Sequence, residues 1–381
     1  MYNVLKVRDY QNYTRTKPEE DKALLVKGEV VSKSTNIYYN LSIVNRVIED
    51  EAGILPSISV PKLAEFQVNR ANSIITKPSD YRVAVNRFAC PTGLIPLFLF
   101  PKNESYYTIS LTYNDGVNPI TQITKNIVYI PSAVGDPYSS QGFQPVYYIQ
   151  ELINYVNVAY QEAYDDMKTA LGALYLPEDR PYLTYDATTQ LITMWCQEEY
   201  LNFAQNGIFM NTTLFLDFFS GLYAREASNN VLGQFSAYQI IPQNLLTNID
   251  LNLALPDGTP STFYRVVEEF SSTPLFNQLD RLVLTSSRLP IDTQLLGTQK
   301  DERANILLDF ILPDNQGTKQ KYEYEPKILQ WTDMKSNTPL TNVDLKVYLV
   351  YNDGAILPLY ISGSQRIDIT LKFVPKGCLY Q

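Results

Sequence analysis

Apolar and polar residues alternate most regularly toward the end of the chain. Val343, Leu345, Val347 and Leu349 alternate with Asp344, Lys346 and Tyr348, and Ile367, Ile369, Leu371 and Phe373 alternate with Arg366, Asp368, Thr370 and Lys372. Side chains on a strand point to opposite faces with a period of two. Each segment therefore predicts a strand with one dry and one wet face, as in an antiparallel sheet that covers a core from one side. Asn352-Asp353-Gly354 and Ser362-Gly363-Ser364 supply turns between them, with a short strand expected from Ile356 to Ile361.

Similar patterns extend backward along the chain. Strands are expected from Ile37 to Val47, around Tyr81, Val83 and Val85 up to Pro91, at Ile109, Leu111 and Tyr113 before Asn114-Asp115-Gly116, from Leu183 to Trp195, from Arg281 to Ser286 and from Ile306 to Leu312. Leu214 to Phe219 is too apolar for an exposed loop and reads as a buried strand. One region departs from period two. Ile149, Leu152, Ile153, Val156, Ala159, Tyr160, Ala163, Met167, Ala170 and Leu171 recur at helical spacing, predicting an amphipathic helix over about 147–174 that packs on a sheet or plugs the end of a sandwich. Leu176-Pro177 and Arg180-Pro181 then return the chain to strands.

A chain of 381 residues exceeds the roughly 250–300 at which a single core stops growing, so two modules are expected. Periodicity weakens between Ser220 and Thr259, and the boundary is placed near Asn229. The reading is an N-terminal arm or edge element over 1–60, a first β-sandwich over 61–228 carrying the helix, and a second over 229–381. Many short strands with regular turns and one inserted helix make the fold class mainly β, with antiparallel jelly-roll-type sandwiches. Tyr113-Asn114-Asp115-Gly116 recurs as Tyr351-Asn352-Asp353-Gly354, and Arg82 to Pro91 shares its Arg-to-Pro spacing with Arg281 to Pro290. Duplicated modules would produce such echoes, and so would convergent turn chemistry; the Leu-Asp-Phe triplets at Leu216 and Leu308 fall in different order relative to the turns.

Composition narrows the chemistry. Histidine is absent, which removes the side chain that titrates near neutrality and the commonest metal ligand, and with it serine triads, Cys-His dyads and His-ligated zinc. Three distant cysteines, Cys90, Cys196 and Cys378, fit neither a zinc ribbon nor a disulfide framework and favour a reducing folding compartment. Met1 to Tyr10 has no apolar signal-peptide core, and the best apolar run, Leu94 to Phe100, is short and broken by Pro96, so no membrane span is expected. The net charge is −9, and the basic residues from Lys6 to Lys33 are interrupted by acids, a poor match for a phosphate backbone. Twenty-nine tyrosines suit half-buried sheet faces and subunit contacts, although β-propensity alone would enrich them.

Carboxylates are the only acid–base groups in supply. Glu198-Glu199 beside Trp195 could serve a glycosidase, which needs two carboxyl groups flanking a sugar, but adjacent residues on a continuing strand face opposite ways, and a solvated edge is the simpler reading. Asp165-Asp166 and Asp353 lack the spaced oxygen ligands of a calcium loop. No glycine-rich phosphate loop or nucleophile elbow occurs. Core packing is the favoured reading for Trp195 and Trp331. No catalytic, cofactor-binding or metal-ligating residue is assigned, and the chain reads as a non-enzyme.

Thr338-Pro339-Leu340, Asp344-Leu345-Lys346-Val347-Tyr348, Asn352-Asp353-Gly354, Leu357-Pro358-Leu359-Tyr360 and Ile369-Thr370-Leu371-Lys372-Phe373 resemble the closing strands of minor capsid, or penton, proteins of polinton-like viruses and virophages. Pro78 to Phe100, the helix after Tyr147 and Thr285-Ser286-Ser287-Arg288-Leu289-Pro290 are compatible with it, so that the resemblance touches about half the chain. It implies jelly-roll subunits in an icosahedral shell, a virion protein assembled in the host cytoplasm or nucleus, pentamers at the vertices, and other capsid proteins rather than a specific nucleic acid as partners. Two readings stay beside it: a double jelly-roll major capsid protein, which would form trimers, and a receptor- or carbohydrate-binding sandwich using Trp195 or Trp331.

Overall fold

A computed structural model describes residues 24–26, 29–31, 36–44, 61–131, 136–175, 177–202, 204–227, 237–242, 249–254, 260–295, 303–311, 321–361 and 365–377. In chain order the main strands begin with β1 (Ile37–Val44), β2 (Glu65–Asn69), β3 (Tyr81–Pro91), β4 (Thr108–Tyr113) and β5 (Thr121–Asn126). The helix α1 (Ile149–Leu171) follows, then β6 (Tyr182–Asp186), β7 (Leu191–Gln197), β8 (Asn206–Asn211), β9 (Ala224–Ala227), β10 (Ala237–Ile240), β11 (Ile249–Ala254) and β12 (Pro260–Val267). The chain closes with β13 (Leu279–Thr285), β14 (Ile306–Ile311), β15 (Lys321–Tyr324), β16 (Asn342–Tyr351), β17 (Ile356–Pro358) and β18 (Arg366–Pro375).

These strands form two units that do not follow one another along the chain. Unit 1 combines residues 1–95 with 279–381, and unit 2 is the intervening stretch 96–278. The expected linear boundary near Asn229 is thereby corrected. Asn229 itself lies outside the described residues, but β9 and β10 on either side of it pair antiparallel, so the chain stays within one sheet there. The physical reason is that β3, expected in the first module, pairs with β18, and core formation joins strands far apart in sequence. Of the expected 1–60 arm, two three-residue strands, Leu24–Val26 and Glu29–Val31, pair with each other, and β1 pairs along its length with β18.

Unit 1 is built around two five-stranded antiparallel sheets, with short two-stranded pairs beside them. One has the order β14-β13-β16-β17, with β2 also on β16, and the other has the order β15-β3-β18-β1. Neighbours that are not consecutive in sequence mean crossover connections, as a jelly-roll-type sandwich has. The dry faces read from the sequence are buried as expected: Val343, Leu345, Val347 and Leu349 on β16, and Ile367, Ile369, Leu371 and Phe373 on β18. Phe88 of one sheet meets Phe310 of the other edge-on at 5.5 Å. The wet face of β16 is only partly wet. Lys346 is exposed, but Asp344 is buried, and Val350 joins Val283 and Ile306 in a small apolar cluster with Tyr348 and Ile356.

Unit 2 has sheets in the orders β9-β10-β8-β4-β5 and β6-β7-β12-β11. The expected helix is present as α1, packed against β4, β5 and β6 through Leu152, Ile153, Val156, Ala159, Tyr160, Ala163 and Met167. Glu151 accepts from the Tyr147 and Tyr148 amides and caps its first turn, and Gly172, at φ 56°, ends it. The strand expected at Leu214–Phe219 is helical instead: Thr212–Leu214 runs into a wider turn over Phe215–Phe219. Leu214, Phe215, Phe218 and Phe219 are buried while Leu216 is half exposed, a helical rather than a two-residue period. β9, β10 and β11 fall in the stretch read as weakly patterned.

The repeated Tyr-Asn-Asp-Gly turns fall one in each unit. Gly116 and Gly354 both take positive φ, 77° and 84°, and Asp115 and Asp353 each accept from the amide two residues on. The loops nonetheless differ in length, since Tyr113 pairs with Thr121 whereas Tyr351 bonds to Ala355. The other echo joins β3 and β13, which both belong to unit 1 and so do not relate the two halves.

Candidate assembly site

The residues singled out for chemistry do not converge. β7 stops at Gln197, and Glu198–Leu201 form a tight helical turn with Glu198 exposed and Glu199 partly buried. Asp165 accepts from Gln161, Asp166 pairs with Lys125 at 2.7 Å, and Asp353 closes its own turn. Among the described residues no three His, Cys, Asp or Glu side chains gather closely enough to hold a metal ion. Burial pushes the Cys196 thiol up to about 12 and the Cys90 thiol further, so neither supplies thiolate near neutrality. Cys378 lies outside the described residues.

What the units present instead is ordered sheet surface. On the outer side of unit 1, paired positions of β1 and β18 form a polar ladder: Ser42 donates to Asp368 at 2.7 Å and Thr370 to Asn40 at 2.8 Å. Lys372 continues it, its ammonium 5.4 Å from the Tyr38 ring and 5.9 Å from the Trp331 ring. In unit 2, Trp195 pairs across strands with Tyr182, their rings 6.4 Å apart and near parallel, and the Trp195 Nε1–H donates to Thr184. Both tryptophans are half-buried on such surfaces, correcting the expected core placement.

The tyrosines resolve into two roles. In unit 2 many are core residues whose hydroxyls tie down loops: Tyr155 donates to Ile130 O, Tyr164 to the Pro177 and Glu178 carbonyls, Tyr129 to Pro145 O, and Tyr175 and Tyr200 bond each other at 2.7 Å. Burial raises the Tyr155 and Tyr175 hydroxyls, keeping them protonated donors. Tyr38, Tyr106, Tyr148 and Tyr223 are exposed.

Two of the buried carboxylates that escaped the sequence reading tie segments together. Asp344 of β16 accepts from Ser286 Oγ at 2.8 Å, Ser287 Oγ at 2.6 Å, Ser287 N at 3.1 Å and Arg288 N at 2.7 Å, stapling the segment after β13 to β16. Burial pushes its pKa up, but these donors outweigh burial and hold the carboxyl below the usual aspartate range. Glu268, just past β12, accepts from Ile192 N and Ser272 Oγ, and burial, only partly offset by those bonds, raises its pKa. Ser-Ser following a strand, opposite an Asp on a neighbouring strand, was the available signal for the first; Glu268-Glu269 offered none.

Charge divides unevenly. Unit 2 holds six Lys and Arg against eighteen Asp and Glu, a net −12, which leaves +3 of the chain's −9 for unit 1.

A family model described as Sputnik minor capsid protein V18/19 matches residues 37–375, spanning both units. The uncharacterized protein V18 of Sputnik virophage is 25% identical over 154 residues, 36% of this chain and 87% of that protein. Among solved structures, a chain in the 3.5 Å cryo-EM structure of the Sputnik virophage superposes with a TM-score of 0.66 at 21% identity, covering 90% of this chain and 99% of that one. The crystal structure of the mavirus penton protein gives a TM-score of 0.63 at 13% identity, covering 90% of this chain and all of the other.

Proposed function

Because the chain belongs to the Sputnik minor capsid protein V18/19 family and is thus a viral capsid structural protein, we propose that it forms the vertices of an icosahedral shell as a pentamer. The observation that carries this reading is the family match running from β1 through β18, so that both units, and the discontinuous pairing that creates them, belong to one inherited fold. The likeness to the mavirus penton protein supports the same architecture.

The surfaces favour assembly over chemistry. Shell subunits need stiff sheets and polar, partly aromatic contact faces, and the β1–β18 ladder with Lys372 between Tyr38 and Trp331 has that character. A closed ring requires each subunit to present two different patches that meet on its neighbours. The net −12 of unit 2 keeps it from neutralising phosphate, so other capsid proteins are the expected partners. Family membership favours a minor over a major shell role. The purified protein, weighed intact under native conditions, is expected to give a pentamer; a trimer would favour a major-shell organisation instead.

A further inference from the structure

We propose that Glu268 is a proton-controlled latch that tightens unit 2 on acidification. Its carboxylate sits where β7 and the end of β12 meet two turns. Glu268 N–H donates to Ile192 O at 3.0 Å while Ile192 N–H donates to the Glu268 carboxylate at 2.8 Å, so the side chain takes the place of a main-chain acceptor at the end of the ladder. Ser272 Oγ bonds the other carboxylate oxygen, and Ser272 is fully buried. Beside it, Glu269 N–H donates to Gly221 O at 2.9 Å. A Cβ on Gly221 would lie 2.4 Å from Phe270 O and 3.1 Å from Glu268 Oε1, so only glycine allows this approach.

Among the described residues no cation forms an ion pair with the carboxylate. From β7 it faces Ile192, from the turn after the helical segment Gly221, and from its own following turn Ser271, Ser272 and Thr273, none of them charged. Glu269 is exposed. Arg265 stands on the opposite face of β12 by period two. Asp217, on the nearby helical segment, is bonded to Tyr107 and is itself raised by burial. An ionised Glu268 is therefore a desolvated, uncompensated charge, and protonation removes it without breaking its bond to Ile192 N–H.

A glutamate whose pKa is raised by folding stabilises the protein fully below its unfolded value, and that contribution is lost as pH rises through the folded value. Unit 2 is expected to be tightest below the unfolded glutamate value of about 4.3 and to loosen as pH rises above it. The chain's two tryptophans fall one in each unit, so Trp331→Phe leaves Trp195 as a reporter of unit 2. In that background the urea midpoint of Trp195 fluorescence is measured from pH 5 to 8. The folded-to-unfolded ratio should fall as pH rises between the unfolded and folded values of Glu268, by at most about ten-fold for each pH unit. Glu268→Gln should flatten that part of the profile, leaving only the slope from the net charge, and Ser272→Ala should move the transition to higher pH. A Glu268→Gln profile parallel to its parent overturns the latch. Where Glu268→Gln does not fold, an unmoved transition in Ser272→Ala overturns it equally.

Discussion

Asp344 and Glu268 are both buried acids, one in each unit, yet folding moves their pKa values in opposite directions. Asp344 meets two serine hydroxyls and two backbone amides on the segment that follows β13. Glu268 meets one hydroxyl and two amides, those of Ser272 and Ile192, in a unit already carrying net −12. The direction is set by the balance of burial against the donors aimed at the carboxylate, a balance that donors win at Asp344 and burial wins at Glu268. Unit 1 thus uses an ionised acid as a structural staple, whereas unit 2 contains one that its surroundings prefer to be neutral.

The strongest way to break this contrast is to put an acid where no donors exist. Leu371→Asp places a carboxylate on the fully buried face of β18 and should cost about 4 kcal/mol or more, preventing unit 1 from folding. Ile369→Asp should do the same. Thr370→Asp, on the outer ladder, should fold with a change of about 0.5 kcal/mol. Circular dichroism and Trp331 fluorescence in a Trp195→Phe background distinguish them; equal behaviour of all three would mean the register of β18 is wrong.

Next in size is Asp344→Ala. It strands the Ser286 and Ser287 hydroxyls and the Ser287 and Arg288 amides, and should lower unit 1 stability by about 3 kcal/mol in urea titrations while leaving the Trp195 transition in place. The pH response has the opposite sign from that of Glu268. A depressed aspartate stabilises above its unfolded pKa of about 3.9, and the contribution disappears as pH falls through its lower folded value. Unit 1 should therefore hold its midpoint through mild acid and lose it only below about pH 4, where Asp344→Asn should flatten the drop.

In unit 2, Gly221→Ala should cost about 2 kcal/mol, because the new Cβ meets the Phe270 carbonyl and the backbone must move. The smallest effect is expected for Glu198→Gln combined with Glu199→Gln. Neither carboxylate is enclosed, so stability should change by about 0.5 kcal/mol or less in the same titrations.

Period two placed β16 and β18 almost to the residue, because their buried faces are uninterrupted and their partners lie on both sides. The helical stripe placed α1 for the same reason. The linear division into modules was not legible correctly, since which strands share a core depends on pairings such as β3 with β18, separated by most of the chain. Leu214 to Phe219 misled because a short apolar run fits a strand and a helical turn alike. Asp344 reads as an ordinary wet-face residue until β13 is placed beside β16 and brings Ser286 and Ser287 to it. The outer ladder was half visible, as polar positions without their partners. The capsid resemblance lay in the same closing strands, and the family match extends it over both units.

Native mass spectrometry of the full chain tests the central reading most directly. Vertex assembly predicts a dominant species at five times the 43.5 kDa chain mass, at micromolar concentration and moderate salt. A strict monomer under every concentration and salt condition would contradict it.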